Sequence, residues 1–141
     1  PEVTLGADGR YGYAALPRYW AEPERRYAFL VRVDSQVAGF VLVHRGSPAV
    51  DDPDVLDVAE FFVMRRYRRA GVGQRVASLL WRQLPGRWTV RVSERNTGAL
   101  DFWHAVIEDV VGDRATLSTR PHRGAAWRVY DFEIPAISAF T

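Results

Sequence analysis

The segment Arg68-Arg69-Ala70-Gly71-Val72-Gly73 contains residue types that bind phosphate readily. A helix that begins here would expose unpaired backbone N–H groups and the positive end of its dipole, which together attract anions. Gly71 and Gly73 keep Cβ atoms away from the approach to the main chain, and the neighbouring arginines add charged donors. The segment therefore predicts a diphosphate site, although two alternating glycines also suit an ordinary turn.

The setting of this segment favours the diphosphate interpretation. Residues 55–64 form a β-branched and aromatic run typical of a buried strand. Apolar residues then recur at helical spacing from Gly71 until Pro85-Gly86 ends the pattern. The segment lacks the third glycine of dinucleotide-binding folds and the Gly-Lys-Ser/Thr of a P-loop, which disfavours NAD and nucleoside triphosphates.

Arg68-x-x-Gly71-x-Gly73 resembles the Gln/Arg-x-x-Gly-x-Gly/Ala signature of the GNAT superfamily of N-acyltransferases, which lies between a central strand and the next helix. The resemblance extends through residues 60–67 before the motif and 96–103 after it, and covers about residues 27–134. It implies an α/β (α+β) fold with a mixed, largely antiparallel sheet flanked by helices. It also implies transfer of an acetyl or acyl group from acetyl-CoA to a primary amine, by direct attack in a ternary complex.

The same resemblance implies which residues hold acetyl-CoA. The backbone at the end of the central strand would pair with the pantetheine arm as an added strand would, and the turn would hold the diphosphate. The cofactor-binding residues implied in this way are Phe62, Val63, Met64, Arg68, Arg69, Ala70, Gly71, Val72, Gly73, Gln74, Asn96 and Trp103. By the same analogy, the Val63 N–H polarises the thioester carbonyl. Asn96 is also expected, on physical grounds, to cap a helix.

Acyl transfer to an amine needs a base for the amine and a proton for the departing thiolate. Glu60 stands in an otherwise apolar strand, and we expect burial to raise its pKa into the range of a general base; a structural ion pair with an arginine is the alternative. Many GNAT enzymes carry a tyrosine seven positions after the asparagine, where this chain has Trp103, whose indole cannot transfer a proton. Tyr67, Tyr13, His104 or solvent would then supply the proton, with Tyr67 as the catalytic candidate; we expect His104 to be a structural or surface histidine.

The elements that position these residues follow the order β-β-β-α-β-α-β-β. Residues 27–33 and 37–43 predict an antiparallel hairpin, and residues 55–64 and 88–92 predict two further strands. Asn96 precedes a predicted helix that runs through Ile107, and residues 114–118 with 126–134 predict a final hairpin. Residues 16–20 suggest a short helix or turn. The predicted architecture is therefore a sheet covered by helices.

Composition sets the remaining limits. The chain has 141 residues, which suits a single domain over residues 1–141, with residues 1–26 as the remnant of an N-terminal helical region. It has no cysteine, which excludes thiolate chemistry and fits a reducing compartment, so we expect a cytoplasmic protein without a metal site. All 19 Lys+Arg residues are arginine, which excludes Schiff-base lysine chemistry. We find no membrane-spanning segment.

Two other functions fit the sequence. Trp103 allows a catalytically weak acyl-CoA-binding protein, and five arginines allow a less favoured nucleic-acid-binding module, although the net charge is only +2 and no recognition motif is present. Four aspartates suggest an acidic mouth that attracts a cationic amine, against the plainer interpretation of a solvated turn. A homodimer would be in keeping with the family. The five arginines are Arg65, Arg66, Arg68, Arg69 and Arg75, and the four aspartates are Asp51, Asp52, Asp54 and Asp57.

Overall fold

The computed structural model of the chain describes residues 2–6 and 25–136. The predicted short helix or turn at residues 16–20, the candidate Tyr13 and most of the predicted N-terminal remnant lie outside these residues. The strands are Val3–Gly6 (β1), Arg26–Val33 (β2), Gln36–Arg45 (β3), Leu56–Val63 (β4), Gly86–Ser93 (β5), Thr116–His122 (β6) and Ala125–Ile134 (β7). The α-helices are Val72–Gln83 (α1) and Thr97–Val111 (α2), and 3-10 helices occupy Arg65–Ala70 and Gly112–Arg114.

Within the described residues, the strands form a seven-stranded sheet in the order β1-β2-β3-β4-β5-β7-β6. The β4–β5 pair is parallel, whereas β1–β2, β2–β3, β5–β7 and β6–β7 are antiparallel. The predicted fold class and the predicted order of strands and helices are confirmed, with β1 added before them.

Several boundaries differ from the prediction. The strand and helix around the glycine motif are joined by a six-residue 3-10 helix rather than a simple turn, and α1 begins at Val72, one residue after Gly71. The second helix continues past Ile107 to Val111. The first strand of the last hairpin is Thr116–His122 and not residues 114–118. This edge strand is mostly exposed, so no apolar alternation marks it in the sequence, and its bounds are set by its pairing with β7.

The chain divides into two compact units, one made of Pro1–Arg45 with Val58–Gln83 and the other of Gly46–Asp57 with Leu84–Thr141. In the first unit, β2 and β3 form a hairpin whose two-residue turn, Asp34-Ser35, has both residues in the left-handed region. Helix α1 packs against β1 and buries a face formed by Val72, Val76, Ala77, Leu80 and Trp81. The apolar residues of α1 therefore recur at helical spacing on one face, and the packing of this face fixes the position of the start of the helix.

The second unit contains β5, β6, β7 and α2. Alternate residues of β5 and β7 point to one face of the sheet, where they are buried with the apolar stripe of α2. Trp88 is completely buried, and its indole N–H donates to the Leu84 carbonyl at 2.8 Å. The buried apolar residues of this layer are Trp88, Val90, Val92, Tyr130, Phe132, Ile134, Trp103, Val106, Ile107 and Val111. The single-domain assignment stays a prediction.

Candidate functional site

Arg68 is attached to the end of β4. Its Nε donates a 2.7 Å hydrogen bond to the Val63 carbonyl, and its guanidinium carbon lies 5.8 Å from the centre of the Phe62 ring. The side chain is exposed, although both contacts hold it against the strand. A charged donor that is already positioned loses less conformational entropy when it binds an anion than a free side chain does.

Gly71 connects the 3-10 helix to α1 in a backbone conformation that favours glycine. Its φ and ψ are 72° and 15°, in the left-handed region. A Cβ placed at Gly71 would meet nothing within 4 Å, so the glycine is required by the backbone and the space above it is open. The Arg75 N–H donates to the Gly71 carbonyl at 3.2 Å, which begins the helical hydrogen bonding. The N–H groups of Val72 to Gln74 lie before Arg75 in the first turn, so they have no carbonyl acceptor within the helix.

Glu60, Phe62 and Met64 lie on one face of the end of β4, because alternate residues of a strand share a face. All three are exposed, with Phe62 at 39% and Met64 at 37%. The expectation that Glu60 is buried is therefore wrong. The sequence pattern predicted the strand correctly, but it does not show whether other residues cover this face, and none of the described residues does so. Glu60 forms no ion pair among the side chains that the structure describes, and the alternative of an ion pair with an arginine stays a prediction.

The backbone groups predicted to pair with pantetheine are partly engaged within the protein. The Met64 N–H donates to the Ala38 carbonyl at 2.7 Å, and the Val63 carbonyl accepts from Arg68. Val63 itself is buried, and the Phe62 ring lies 5.5 Å from the ring of Phe40. The Val63 side chain therefore packs in the core, and the Phe62 side chain does so in part. Pairing of their backbone with pantetheine stays a prediction.

Tyr67 lies in the 3-10 helix close to the glycine motif. Its N–H donates to the Met64 carbonyl at 2.9 Å, its side chain is half-buried, and the Arg66 guanidinium carbon lies 4.8 Å from the ring centre. Arg69 and Ala70 belong to the same 3-10 helix. The structure thus brings Tyr67, Arg68 and Gly71 into one short segment of the first unit.

The other predicted residues belong to the second unit. Asn96 caps α2 as predicted, since its side-chain oxygen accepts the Ala99 N–H at 3.1 Å. Trp103 is 6% exposed and meets Phe102 edge to face at 5.0 Å, so it is a core residue of this unit. His104 is exposed, and its Nε2 lies 3.1 Å from a Glu108 carboxylate oxygen, which agrees with the expected surface histidine.

Asp57 forms a buried charged cluster that sequence reasoning missed. Its carboxylate is fully buried and accepts two hydrogen bonds from Arg91, at 2.9 and 2.7 Å, and one from the Thr89 hydroxyl at 2.7 Å. The Arg91 guanidinium carbon lies 4.5 Å from the centre of the Trp127 ring. The sequence signal for this cluster is that each of two predicted strands contains polar residues. Asp57 pairs in register with Thr89, and Arg91 lies two residues later on the same face of the neighbouring strand.

The acidic mouth is also corrected. Asp57 is inside the protein, so it cannot act on an approaching amine from the surface. The Asp54 backbone N–H and the Arg87 guanidinium hold the pKa of Asp52 below its usual value. Arg87 also donates to Asp131 at 2.9 Å through Nε, and this hydrogen bond raises the pKa of the guanidinium. Asp52 and Asp57 are therefore engaged by arginines, and Asp51 and Asp54 are the exposed carboxylates of this loop.

The described parts of the chain hold no group of three or more His, Asp or Glu side chains arranged to bind a metal ion. None of the helices within residues 2–6 and 25–136 is long and apolar enough to cross a membrane.

Residues 4–107 match the model of the acetyltransferase (GNAT) family. The chain belongs to the GNAT family. The matched residues include β4, the glycine motif, α1 and the capped start of α2. They therefore include all the predicted site residues from Glu60 to Trp103. Among proteins with curated functions, none matches this sequence.

Solved GNAT structures share the fold at low sequence identity. An acetyltransferase from Thermus thermophilus is 17% identical with a TM-score of 0.65, over 84% of this chain and 70% of the other. The ribosomal-protein-S18-alanine N-acetyltransferase from Escherichia coli is 14% identical with a TM-score of 0.63, over 98% and 97% of the two chains. A GNAT family acetyltransferase from Elizabethkingia anophelis, solved with acetyl-CoA bound, is 10% identical with a TM-score of 0.61, over 94% and 98%. These similarities establish the fold of this GNAT protein.

Proposed function

We propose that this chain is an acetyl-CoA-dependent N-acetyltransferase that acetylates a primary amine. The observation that carries the proposal is the junction before α1, where Gly71 adopts a left-handed conformation with open space above it. Solved members of the same fold from Elizabethkingia anophelis and Bacillus subtilis contain acetyl-CoA and CoA, respectively, which supports the same ligand class here.

The proposed diphosphate cradle is the segment from Arg68 to Gln74. The N–H groups of the first turn of α1, which have no acceptor within the helix, and the helix dipole favour an anion at the start of α1. Arg68 adds a guanidinium already held at the strand end by Val63. In the family arrangement, the backbone of Phe62, Val63 and Met64 pairs with the pantetheine arm, and Asn96 and Trp103 are further candidates for contact with the cofactor. Our proposal for those contacts depends on the family resemblance.

The proposed reaction is a direct displacement. The amine nitrogen attacks the thioester carbonyl carbon, the C–N bond forms, the C–S bond breaks, and CoA leaves as the thiolate. Glu60 is the proposed base, and its exposure allows it to accept the amine proton through water. The Val63 N–H is the proposed donor to the carbonyl oxygen. Tyr67 is the proposed source of the proton that the thiolate takes up, because the Trp103 indole cannot supply one.

Two measurements test the proposal. Titration calorimetry with acetyl-CoA measures binding, and release of the CoA thiol over a panel of primary amines measures transfer. We expect Arg68→Gln to weaken acetyl-CoA binding by about tenfold, which is typical for loss of one charge-assisted hydrogen bond. Arg82→Gln is the matched control, since Arg82 is an exposed arginine in the last turn of α1, at the end opposite the proposed cradle, and it should leave the affinity unchanged.

The outcomes separate the candidate functions. Acetyl-CoA binding with amine-dependent thiol release supports the enzyme. Binding without release from any amine supports the acyl-CoA-binding alternative, which the buried Trp103 at the usual tyrosine position favours. Absence of acetyl-CoA binding would reject both, and steeply salt-dependent DNA binding in its place would support the arginine-rich nucleic-acid module.

A further inference from the structure

Strand β6 has one side without a neighbouring strand. Within the described residues it is the last strand of the sheet, and it pairs with β7 on its other side. Alternate residues of an edge strand direct their backbone N–H and C=O groups away from the neighbouring strand. Such groups are a template for pairing with a further strand.

The turn of the β6–β7 hairpin decides which residues of β6 present these groups. Residues 123–124 form a two-residue turn with φ of 46° and 78°, and His122 pairs with Ala125 across it. The pair that flanks such a turn exchanges both of its hydrogen bonds, so His122 and every second residue before it bond to β7. Leu117 and Thr119 therefore direct their N–H and C=O groups to the free side.

The two halves of β6 differ in how well they resist pairing. The half next to the turn carries Arg120 and Pro121, a charge and a residue without N–H, and both discourage a further strand. Residues 116–119 carry neither a charge nor a proline. Leu117 within this half is 46% exposed, so a strand added here would also bury apolar surface. Residues 116–119 are therefore the open part of the edge.

Charge is distributed unequally along the hairpin. Three exposed acids lie in the last turn of α2 and just after it, together with one arginine, Arg114. The negative end of the helix dipole lies there as well. At the other end of β6, the turn residues 120–124 carry two arginines and no acid. Two such hairpins side by side therefore attract each other when they run antiparallel and repel when they run parallel. The three acids are Glu108, Asp109 and Asp113.

We infer that β6 pairs with β6 of a second copy of this chain, antiparallel about a two-fold axis at Ser118. Leu117 of each copy then lies opposite Thr119 of the other, and each such pair exchanges both of its hydrogen bonds. The two exposed Leu117 side chains become diagonal neighbours on one face, about 7–8 Å apart. The Arg123 turn of each copy lies beside the Asp113 segment of the other. This interface is additional to the proposed acetyl transfer and does not depend on it.

The test measures self-association of the full chain without acetyl-CoA. In sedimentation equilibrium we expect the average mass to rise with concentration from 16.0 kDa toward twice this value. The dissociation constant should be on the order of 100 μM, as suits a small interface. In hydrogen exchange measured by NMR, the Leu117 and Thr119 amides should become protected as the dimer forms. The Ser118 amide, which bonds to β7, should be protected at every concentration.

A proline at position 119 tests the hydrogen bonds. Thr119→Pro removes one outward N–H and leaves the bonds to β7 intact, so the hairpin should fold and the dimer should weaken at least about tenfold. Thr119→Val is the matched control, because it keeps the N–H at the same exposed position and favours a strand, and it should associate as the wild type does.

A charge swap tests the antiparallel direction. Asp113→Arg and Arg123→Asp each place like charges together at both ends of the interface, so each should weaken association about threefold or more. Aspartate tolerates the positive φ of Arg123, 46°, so the turn should persist. The double variant restores opposite charges and should recover the wild-type affinity.

The inference is overturned if the chain stays monomeric at about ten times the expected dissociation constant. It is also overturned if protection of the Leu117 and Thr119 amides does not depend on concentration, or if the double charge variant associates no better than the single ones. A dimer that Thr119→Pro leaves unchanged would use another surface, and this too rejects the pairing of β6. Since no measurement involves acetyl-CoA, each result leaves the proposed acetyltransferase activity to its own test.

Discussion

At the residue scale, the role of Gly71 depends on its backbone conformation. We expect Gly71→Ala to lower the free energy of unfolding by about 1–2 kcal/mol, the typical cost of a left-handed alanine, and to weaken acetyl-CoA binding because the start of α1 shifts. Gly124→Ala is the matched control, since Gly124 also has a positive φ, 78°, and open space at its Cβ position. Calorimetry should show a similar loss of stability in both variants and weaker binding only in Gly71→Ala; equal binding in both would contradict the cradle.

Glu60 tests the chemistry at the same scale. Glu60→Gln keeps the shape and removes the base, so we expect kcat for the amine to fall about 100-fold or more while the dissociation constant of acetyl-CoA is unchanged. Glu133→Gln serves as the control, because Glu133 is another exposed strand glutamate. Steady-state kinetics across pH measure the effect. Undiminished kcat in Glu60→Gln across the pH range in which the wild type is active would remove Glu60 from the mechanism.

At the element scale, the β3–β4 pair depends on a close approach at Gly39. A Cβ on Gly39 would overlap the Phe62 carbonyl oxygen and lie 3.0 Å from the Val63 Cα, so the two strands would have to separate. We expect Gly39→Ala to destabilise the fold by about 1–3 kcal/mol and to weaken acetyl-CoA binding through the displaced end of β4. Gly6→Ala is the strand control, since its nearest neighbour is 3.9 Å away. A Gly39→Ala protein with wild-type urea midpoint and affinity would show that the two strands do not approach this closely at Gly39.

At the scale of the whole molecule, Tyr130 links stability to alkaline pH. Its pKa is raised in the folded state by burial, so above the ordinary value of 10.0 the unfolded chain loses the phenolic proton first. This contribution is therefore complete below about pH 10 and is lost as pH rises through the higher folded-state pKa. We expect the wild type to lose stability more steeply than Tyr130→Phe above about pH 10, with a constant difference between the two at lower pH. Urea unfolding across pH measures this, and parallel curves throughout would contradict it.

Local patterns determined much of this protein. The apolar run before the arginines, the helical spacing after Gly71 and the cap at Asn96 each act within a few residues, so the sequence alone predicted β4, α1, the start of α2 and a GNAT-like diphosphate segment. The mostly exposed edge strand β6 was bounded less well, since its limits depend on pairing with β7.

Tertiary structure decided the properties that depend on distant neighbours. Asp57 and Arg91 are 34 residues apart, and only the pairing of β4 with β5 shows that the aspartate is buried beside the arginine rather than exposed in an acidic loop. Alternation along β4 predicts which residues share a face with Glu60, but the exposure of Glu60 depends on whether other parts of the protein cover that face. The free edge of β6 likewise follows only from the order of the strands in the sheet. Periodicity specifies which residues share a face, and packing alone determines which faces are covered.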